Sequence, residues 1–112
     1  MKTEKTIQEL QKEVDEYIGQ FKEGYFPPFE MIARMIEELG ELTREVHHVY
    51  GMKKKKETED DQSMEEELGD LLFVLICFAN SQNIDIQQAH DRVMNKFKTR
   101  DKNRWTYKEE LE

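Results

Sequence analysis

The chain has little of what builds disulfides, β-sandwiches or membrane spans. Two prolines and five glycines in 112 residues are too few for the many turns of a sandwich or barrel. The single cysteine, Cys77, can form no disulfide within the chain, and its apolar surroundings in sequence predict a buried, reduced thiol. The longest apolar run, Leu71–Ala79, has nine residues, well short of the roughly 18 that span a membrane. With no apolar stretch of signal-peptide type at the N-terminus, these features predict a cytoplasmic protein.

Charge is abundant and unevenly placed. The chain has 25 acidic and 17 basic residues, a net charge of −8, and residues 57–70 alone hold eight acids and no base. An acidic surface repels phosphate backbones, so no nucleic-acid partner is expected. The short basic run Lys53–Lys56 leads straight into acidic residues. We therefore interpret residues 52–62 as a charged, mobile loop.

Apolar residues recur at helical spacing in four segments, and no segment alternates as a strand does. The pairs Thr6/Glu9 and Ser63/Glu66 have the spacing of capping boxes, which mark helix starts. The sequence predicts an all-α fold, a bundle of four to five helices in a single domain spanning residues 1–112. The predicted helices cover about Ile7 to Lys22, Pro28 to Tyr50, Ser63 to Ser81, and a segment after Asp85 that leads into a polar tail, 99–112.

The third predicted helix is apolar on every side from Leu71 to Ala79. A helix that is hydrophobic all round is normally buried all round. One chain of this size has too few helices to cover it. We therefore expect a homodimer, or a higher homo-oligomer, that completes the bundle.

A short acidic pattern occurs in two of the predicted helices. Residues 37–41 read EELGE, and residues 66–70 read EELGD. Each copy places carboxylates three residues apart, which makes them neighbours on one helix face. Each pair can therefore aim two carboxylates at one point.

Helical geometry indicates which acids of the second helix face the core. At about 100° per residue, and with Ile32 at 0°, Glu38 lies near 240° and Glu41 near 180°, on the flank of the apolar stripe. Glu45 lies between them, at about 220°. Glu37, at about 140°, points away from the stripe.

The third helix gives a similar result. With Leu68 at 0°, Glu67 lies at about 260° and Asp70 at about 200°. Val74 and Phe78 fall in the same sector. The spacing therefore predicts a half-buried acidic pair.

Antiparallel packing of these two helices would bring four carboxylates together. Unpaired, two such charges repel by about 4 kcal/mol at 4 Å and an effective dielectric near 20. A divalent cation removes this repulsion, and an all-oxygen ligand set selects Mg²⁺, with Mn²⁺ or Ca²⁺ as alternatives. Zinc is not predicted, because the adjacent His47 and His48 point about 100° apart and His90 stands alone. The spacing is also compatible with a solvated acidic face.

The double motif resembles that of the MazG-like nucleotide pyrophosphohydrolases. These belong to the all-α NTP pyrophosphatase superfamily, with the dimeric dUTPases and the phosphoribosyl-ATP pyrophosphohydrolases. The resemblance rests on EELGE at 37–41, on ExxD at 67–70 after 25 intervening residues, and on the apolar run LLFVL that follows. It covers about residues 28–100.

The resemblance implies a Mg²⁺ site with Glu38, Glu41, Glu67 and Asp70 as ligands. Glu38 and Glu41 would also serve catalysis, with Glu41 taking the proton of the attacking water. Glu37 matches the leading glutamate of the motif and would stabilise the ligands without itself binding the ion.

The resemblance also implies a basic element late in the fourth helix. Lys96 and Arg100 would contact the nucleotide phosphates, and Asn95 would bond to the sugar or a phosphate. The alternative for the two cations is a solvated helix end, where positive charge suits the helix dipole.

The implied reaction is NTP + H₂O → NMP + pyrophosphate, serving the removal of unwanted nucleotides. Two alternatives stay open at this stage: a non-catalytic helical interaction module, and a narrow pyrophosphohydrolase for dCTP, dUTP or phosphoribosyl-ATP. The nucleobase would need an apolar slot formed by aromatic side chains. Each aromatic candidate has core packing as its alternative role. The candidates are Tyr17, Phe21, Tyr25, Phe26 and Trp105.

Overall fold

The computed structural model describes residues 3–51 and 63–109. Over these ranges the chain is helical, with no β-strand, which confirms the predicted fold class. The segment 52–62, predicted to be a mobile charged loop, lies outside the described residues. The helices are α1 (Ile7–Ile18), α2 (Pro28–Tyr50), α3 (Met64–Ser81) and α4 (Ile86–Arg100).

Side-chain caps fix where three of these helices begin. The Thr6 hydroxyl accepts a hydrogen bond from the Glu9 backbone N–H at 3.1 Å, and the Glu9 carboxylate accepts one from the Thr6 N–H at 3.0 Å. This is the predicted capping box. Ser63 accepts from the Glu66 N–H at 3.1 Å, and Asp85 caps α4 in the same manner. The caps therefore set the helix starts where the sequence placed them.

The end of the first helix was predicted wrongly. It stops at Ile18 rather than near Lys22. The Phe21 N–H bonds to the Ile18 carbonyl at 3.1 Å, which tightens the chain into a turn, and Gly24 then adopts a left-handed φ of 62°. Phe21 consequently leaves the helical register, and its ring packs edge-on to Tyr17 with centroids 5.3 Å apart. The fourth helix, in turn, runs to Arg100, into the predicted tail.

The core lies where α2 and α1 both pack against α3. Val14 of α1, Met31 of α2, and Ile76 and Cys77 of α3 form its buried cluster. Met31, near the start of α2, meets residues near the end of α3, so the two helices run antiparallel. Cys77 is buried as predicted, and burial raises the pKa of its thiol.

A half-buried amide, that of Gln11, joins α1 to both ends of the α3–α4 turn. The Gln11 Nε2 donates to the Asn80 Oδ1 and to the Ile84 carbonyl, both at 2.9 Å. The Gln11 Oε1 accepts from the Ile86 N–H at 2.9 Å. The side chain of Gln11 therefore fixes the position of α1 relative to α3 and α4.

The same network holds the connector between α1 and α2. Asn80 Nδ2 donates to the Tyr25 hydroxyl at 3.0 Å, and that hydroxyl donates to Asp15 at 2.7 Å. Burial and the bond to Asp15 raise the pKa of Tyr25 to about 12. The folded state therefore holds the Tyr25 proton more tightly than the unfolded chain does. The stability that this hydroxyl contributes is lost only as the pH rises from about 10 through about 12.

Apolar side chains remain exposed in the single chain. Ile36 and Leu39 of α2 are 66% and 52% exposed, and α3 leaves Leu72, Phe73 and Leu75 partly open. No residue of α4 is buried. Within the described residues, no helix is both long enough and apolar enough to cross a lipid bilayer.

Replacing Gln11 by alanine should lower the free energy of unfolding by about 2–3 kcal/mol, because it leaves partly buried partners unsatisfied. Gln8→Ala is the matched control, since Gln8 makes one exposed hydrogen bond, to Asp85. Its effect should stay below about 1 kcal/mol. Urea unfolding followed by circular dichroism, at one protein concentration, measures both. Equal losses would contradict the role given to Gln11.

Candidate functional site

Three of the predicted carboxylates meet between α2 and α3. One oxygen from each of Glu38, Glu67 and Asp70 lies within 4.8 Å of the other two. The antiparallel packing of the two helices creates this group, since Glu38 is on α2 and the other two lie on the first turns of α3. Glu67 is buried, Glu38 is half-buried and Asp70 is exposed. The group is therefore open to solvent on the side of Asp70.

The electrostatics of the group centre on Glu67. Burial raises the pKa of Glu67, and the negative charges of Asp70, Glu41, Glu38 and Glu45 raise it further. Each of these neighbours disfavours the ionised carboxylate, so the metal-free site resists holding all its charges at once.

Glu41 and Glu45 flank the group along α2. Glu41 is exposed and lies outside the 4.8 Å group, although its charge acts on Glu67. Glu45 is buried, with an oxygen 3.9 Å from Nδ1 of His48. Glu45 was not among the predicted ligands, although its angular position on the same flank as Glu38 indicated that it lies beside them. Glu37 is exposed, consistent with a side chain that points away from the core.

The donor set suits a hard divalent cation. All three contributed atoms are carboxylate oxygens, the ligands that Mg²⁺ and Mn²⁺ prefer. Among the residues that the structure describes, no histidine or cysteine joins the group. A cation there would neutralise the charges that raise the pKa of Glu67, so the residues present fit the ion that the sequence predicted.

A small cavity of about 90 Å³ lies between α1, the connector, α2 and α3. Its walls are mostly apolar and include Tyr25, Phe26 and Phe73. Arg34 also lines it, and Arg34 Nη2 lies 3.6 Å from Oε1 of Glu38. The cavity and the carboxylate group are therefore neighbours, separated by one arginine.

The predicted aromatic candidates divide into two sets. Tyr25 and Phe26 line the cavity, whereas Tyr17, Phe21 and Trp105 do not. Tyr17 packs against Phe21, as described above, and Trp105 is 72% exposed beside the guanidinium of Arg104.

The predicted phosphate-binding residues lie on a different surface. Lys96, Arg100 and Asn95 are exposed on α4, which packs against α1. The ammonium of Lys96 sits 5.4 Å from the ring centroid of Phe97, and Arg100 pairs with Asp101 at 3.2 Å. The contacts described within one chain do not bring these side chains to the carboxylates.

Comparison with known proteins decides the family. The model of the MazG nucleotide pyrophosphohydrolase domain matches residues 26–105, which include both acidic pairs and α4. The chain belongs to the MazG nucleotide pyrophosphohydrolase family. It is thus a nucleotide pyrophosphohydrolase, which sets aside the non-catalytic interaction module. Pyrophosphohydrolases of the MazG family typically use a divalent metal ion, in agreement with the oxygen-only donor set.

Similar MazG-like chains occur in Bacillus. The chain is 68% identical over 108 residues to YpjD of Bacillus subtilis (strain 168), an uncharacterised protein, covering 96% of this chain and 97% of YpjD. A crystal structure of Bacillus subtilis YpjD, described as a candidate pyrophosphatase, has a TM-score of 0.78 at 65% identity, covering 88% of this chain and 100% of that one. A Bacillus-conserved MazG protein, described as a nucleotide pyrophosphohydrolase, has a TM-score of 0.77 at 60% identity, covering 91% and 99%.

The raised pKa of Glu67 predicts how the metal-free fold responds to pH. The folded state binds this proton more tightly than the unfolded chain, where the pKa is near 4.5. The contribution of Glu67 to stability should therefore be lost as the pH rises above that value. Glu67→Gln should be more stable than the wild type at pH 8 and lose this advantage near pH 4.

Unfolding in EDTA at both pH values provides the measurement. Glu37→Gln serves as the control, because Glu37 is exposed on the neighbouring helix. It should differ from the wild type by a similar, small amount at both pH values. A Glu67→Gln protein that is less stable than the wild type at pH 8 would contradict this electrostatic account.

Proposed function

We propose that this protein is a Mg²⁺-dependent nucleoside triphosphate pyrophosphohydrolase that releases NMP and pyrophosphate and removes unwanted ribo- or deoxynucleotides. One observation carries the proposal: an oxygen-only group of three carboxylates adjoins an apolar cavity with aromatic walls. The carboxylates suit the cation that accompanies a polyphosphate, and the cavity suits part of a nucleoside. Mn²⁺ would substitute for Mg²⁺ in the same donor set.

Glu38, Glu67 and Asp70 would hold the cation, with Glu41 as a fourth ligand or as the group that takes a proton. When bound, Mg²⁺ would screen the phosphate charges and lower the pKa of a bound water. Glu41 is exposed and one turn from Glu38, so its carboxylate is accessible to accept the proton of the attacking water. Glu37 would support these groups from the outer side of α2.

The remaining parts of the nucleotide need their own contacts. Lys96 and Arg100 are proposed to bind the phosphates that leave as pyrophosphate, and Asn95 the sugar or a phosphate. Their support is the match of α4 to the family and their position in the last turns of that helix. Tyr25 and Phe26 are proposed to contact the base, because they form walls of the cavity.

Glu67→Ala and Asp70→Ala should each reduce pyrophosphate release by at least about 100-fold, the loss typical of removing a group that stabilises charge in the transition state. Both should also remove the rise in melting temperature caused by Mg²⁺, because the ion then no longer binds the folded state more tightly than the unfolded chain. The assay is pyrophosphate release from a panel of ribo- and deoxynucleoside triphosphates and phosphoribosyl-ATP, which also tests for narrow specificity.

Two variants calibrate that experiment. Glu65→Ala removes an exposed acid of α3 outside the carboxylate group and should keep both the activity and the Mg²⁺ effect. Glu37→Ala should have a milder effect than Glu67→Ala. If Glu67→Ala retains both pyrophosphate release and the Mg²⁺-dependent stabilisation, the metal-site assignment is wrong.

A homodimer, or a higher homo-oligomer, is proposed to complete the bundle. Its support is the apolar surface that α2 and α3 leave open, together with α4, which buries none of its own residues in one chain. Many exposed apolar side chains on neighbouring helices are typical of a surface that a partner covers.

Sedimentation equilibrium at micromolar concentration should therefore give at least twice the 13.5 kDa chain mass. Leu39→Glu, which places a charge on the half-exposed face of α2, should shift the mass towards that of the single chain. Lys12→Gln, on the charged surface of α1, is the control and should not change the mass. A folded wild-type monomer would contradict the proposal.

A further inference from the structure

Arg34 occupies the boundary between the carboxylate group and the cavity. Its Nη2 lies 3.6 Å from Oε1 of Glu38, and its side chain lines the cavity alongside Phe26 and Phe73. Among the residues that line this cavity, Arg34 is the charged one. Arg34 is not among the residues that the sequence motifs predicted for the site.

The pair with Glu38 is easily exchanged. Half of the Arg34 side chain is exposed, whereas that of Glu38 is largely covered, and the 3.6 Å between their charged atoms is longer than a hydrogen bond. The order, with the cation one turn before the acid, is also the less favourable one for a helix. A cation held by Glu38 would further weaken the attraction between Glu38 and Arg34. The phosphates bound to that cation would instead attract the Arg34 guanidinium. Arginine is suited to this exchange, since its planar fork matches phosphate oxygens.

The two neighbours of Arg34 indicate which phosphate it would meet. With the polyphosphate at the carboxylates and the nucleoside towards the cavity, the group between them is the α-phosphate, which joins the two parts. We propose that Arg34 is a substrate-binding residue that contacts the α-phosphate of the nucleotide and exchanges Glu38 for a phosphate oxygen when the nucleotide binds. This inference rests on the proposed function.

Two consequences separate this role from a structural one. The α-phosphate stays with the NMP product, so Arg34 contributes to the binding of NMP and not to that of pyrophosphate. Removing Arg34 also releases Glu38 from its partner, so the affinity of the free protein for Mg²⁺ stays the same or rises. A residue that merely supported the fold would weaken all three ligands together.

The test compares Arg34→Gln and Arg34→Lys with the wild type. Calorimetry in Mg²⁺ measures the binding of a panel of nucleoside monophosphates and of inorganic pyrophosphate, and metal-stripped protein gives the affinity for Mg²⁺. Arg34→Gln should weaken NMP binding and raise KM by about tenfold, the loss of one hydrogen-bonded charge contact. Pyrophosphate affinity should stay within about twofold, and Mg²⁺ affinity should be unchanged or up to about fivefold tighter.

The matched control is Lys12→Gln. Lys12 also pairs with a glutamate four residues on, Glu16 at 4.0 Å, but on α1 and away from the carboxylate group. It should change none of these values. Arg34→Lys keeps the charge and loses the fork, so its NMP affinity should fall between those of the wild type and Arg34→Gln. It also keeps the test decisive if Arg34→Gln folds poorly.

Three results overturn the assignment of Arg34: unchanged NMP binding in Arg34→Gln, equal losses for NMP and pyrophosphate, or weaker Mg²⁺ binding. If the wild type releases pyrophosphate and the variant shows any of these, the proposed function stands and the role of Arg34 falls. If the wild type cleaves no triphosphate but binds NMP through Arg34, the proposed function falls and the role of Arg34 stands. A wild type that binds no nucleotide overturns both.

Discussion

The repulsion among carboxylates where α2 packs against α3 is the constraint on which the rest of the structure depends. Glu38, Glu67 and Asp70 converge there, and Glu67 is buried among four negative neighbours that raise its pKa. Such an arrangement opposes folding in the absence of a cation. The apolar packing farther along the same two helices, around Met31 and Cys77, must therefore hold them together against it. Stability at one end of the helix pair permits a charged site at the other.

The polar network at the other end of α3, around Asn80, positions the wall of the neighbouring cavity. Gln11 ties α1 to the α3–α4 turn, and Asn80 passes the connection on to Tyr25 in the connector. The connector thereby forms one wall of the cavity beside the carboxylates. A set of amide and hydroxyl hydrogen bonds fixes this wall more narrowly than apolar contact would, because each partner left unsatisfied carries a penalty.

Different helices form the different parts of the candidate site. The helix pair α2–α3 supplies the converging carboxylates, α1 and the connector shape the cavity, and Arg34 lies where the two regions adjoin. By contrast, α4 buries none of its own residues and leaves apolar side chains open to solvent.

The helix starts and the carboxylate pair on each helix face could be predicted from the sequence alone, because both depend on local spacing, whereas the meeting of Glu38 with Glu67 and Asp70 needs the packing of α2 against α3. Thr6 with Glu9 sets a cap within one turn, and ExxD at 67–70 sets two carboxylates on one face, whatever lies elsewhere. The end of α1 was predicted wrongly because Phe21 keeps helical spacing in the sequence, whereas its N–H bonds to the Ile18 carbonyl and closes a turn instead of continuing the helix. The burial of Glu45 and the position of Arg34 beside the cavity were decided only by tertiary structure. Both depend on which residues of α1 and α3 pack against α2, and no periodicity within α2 contains that information.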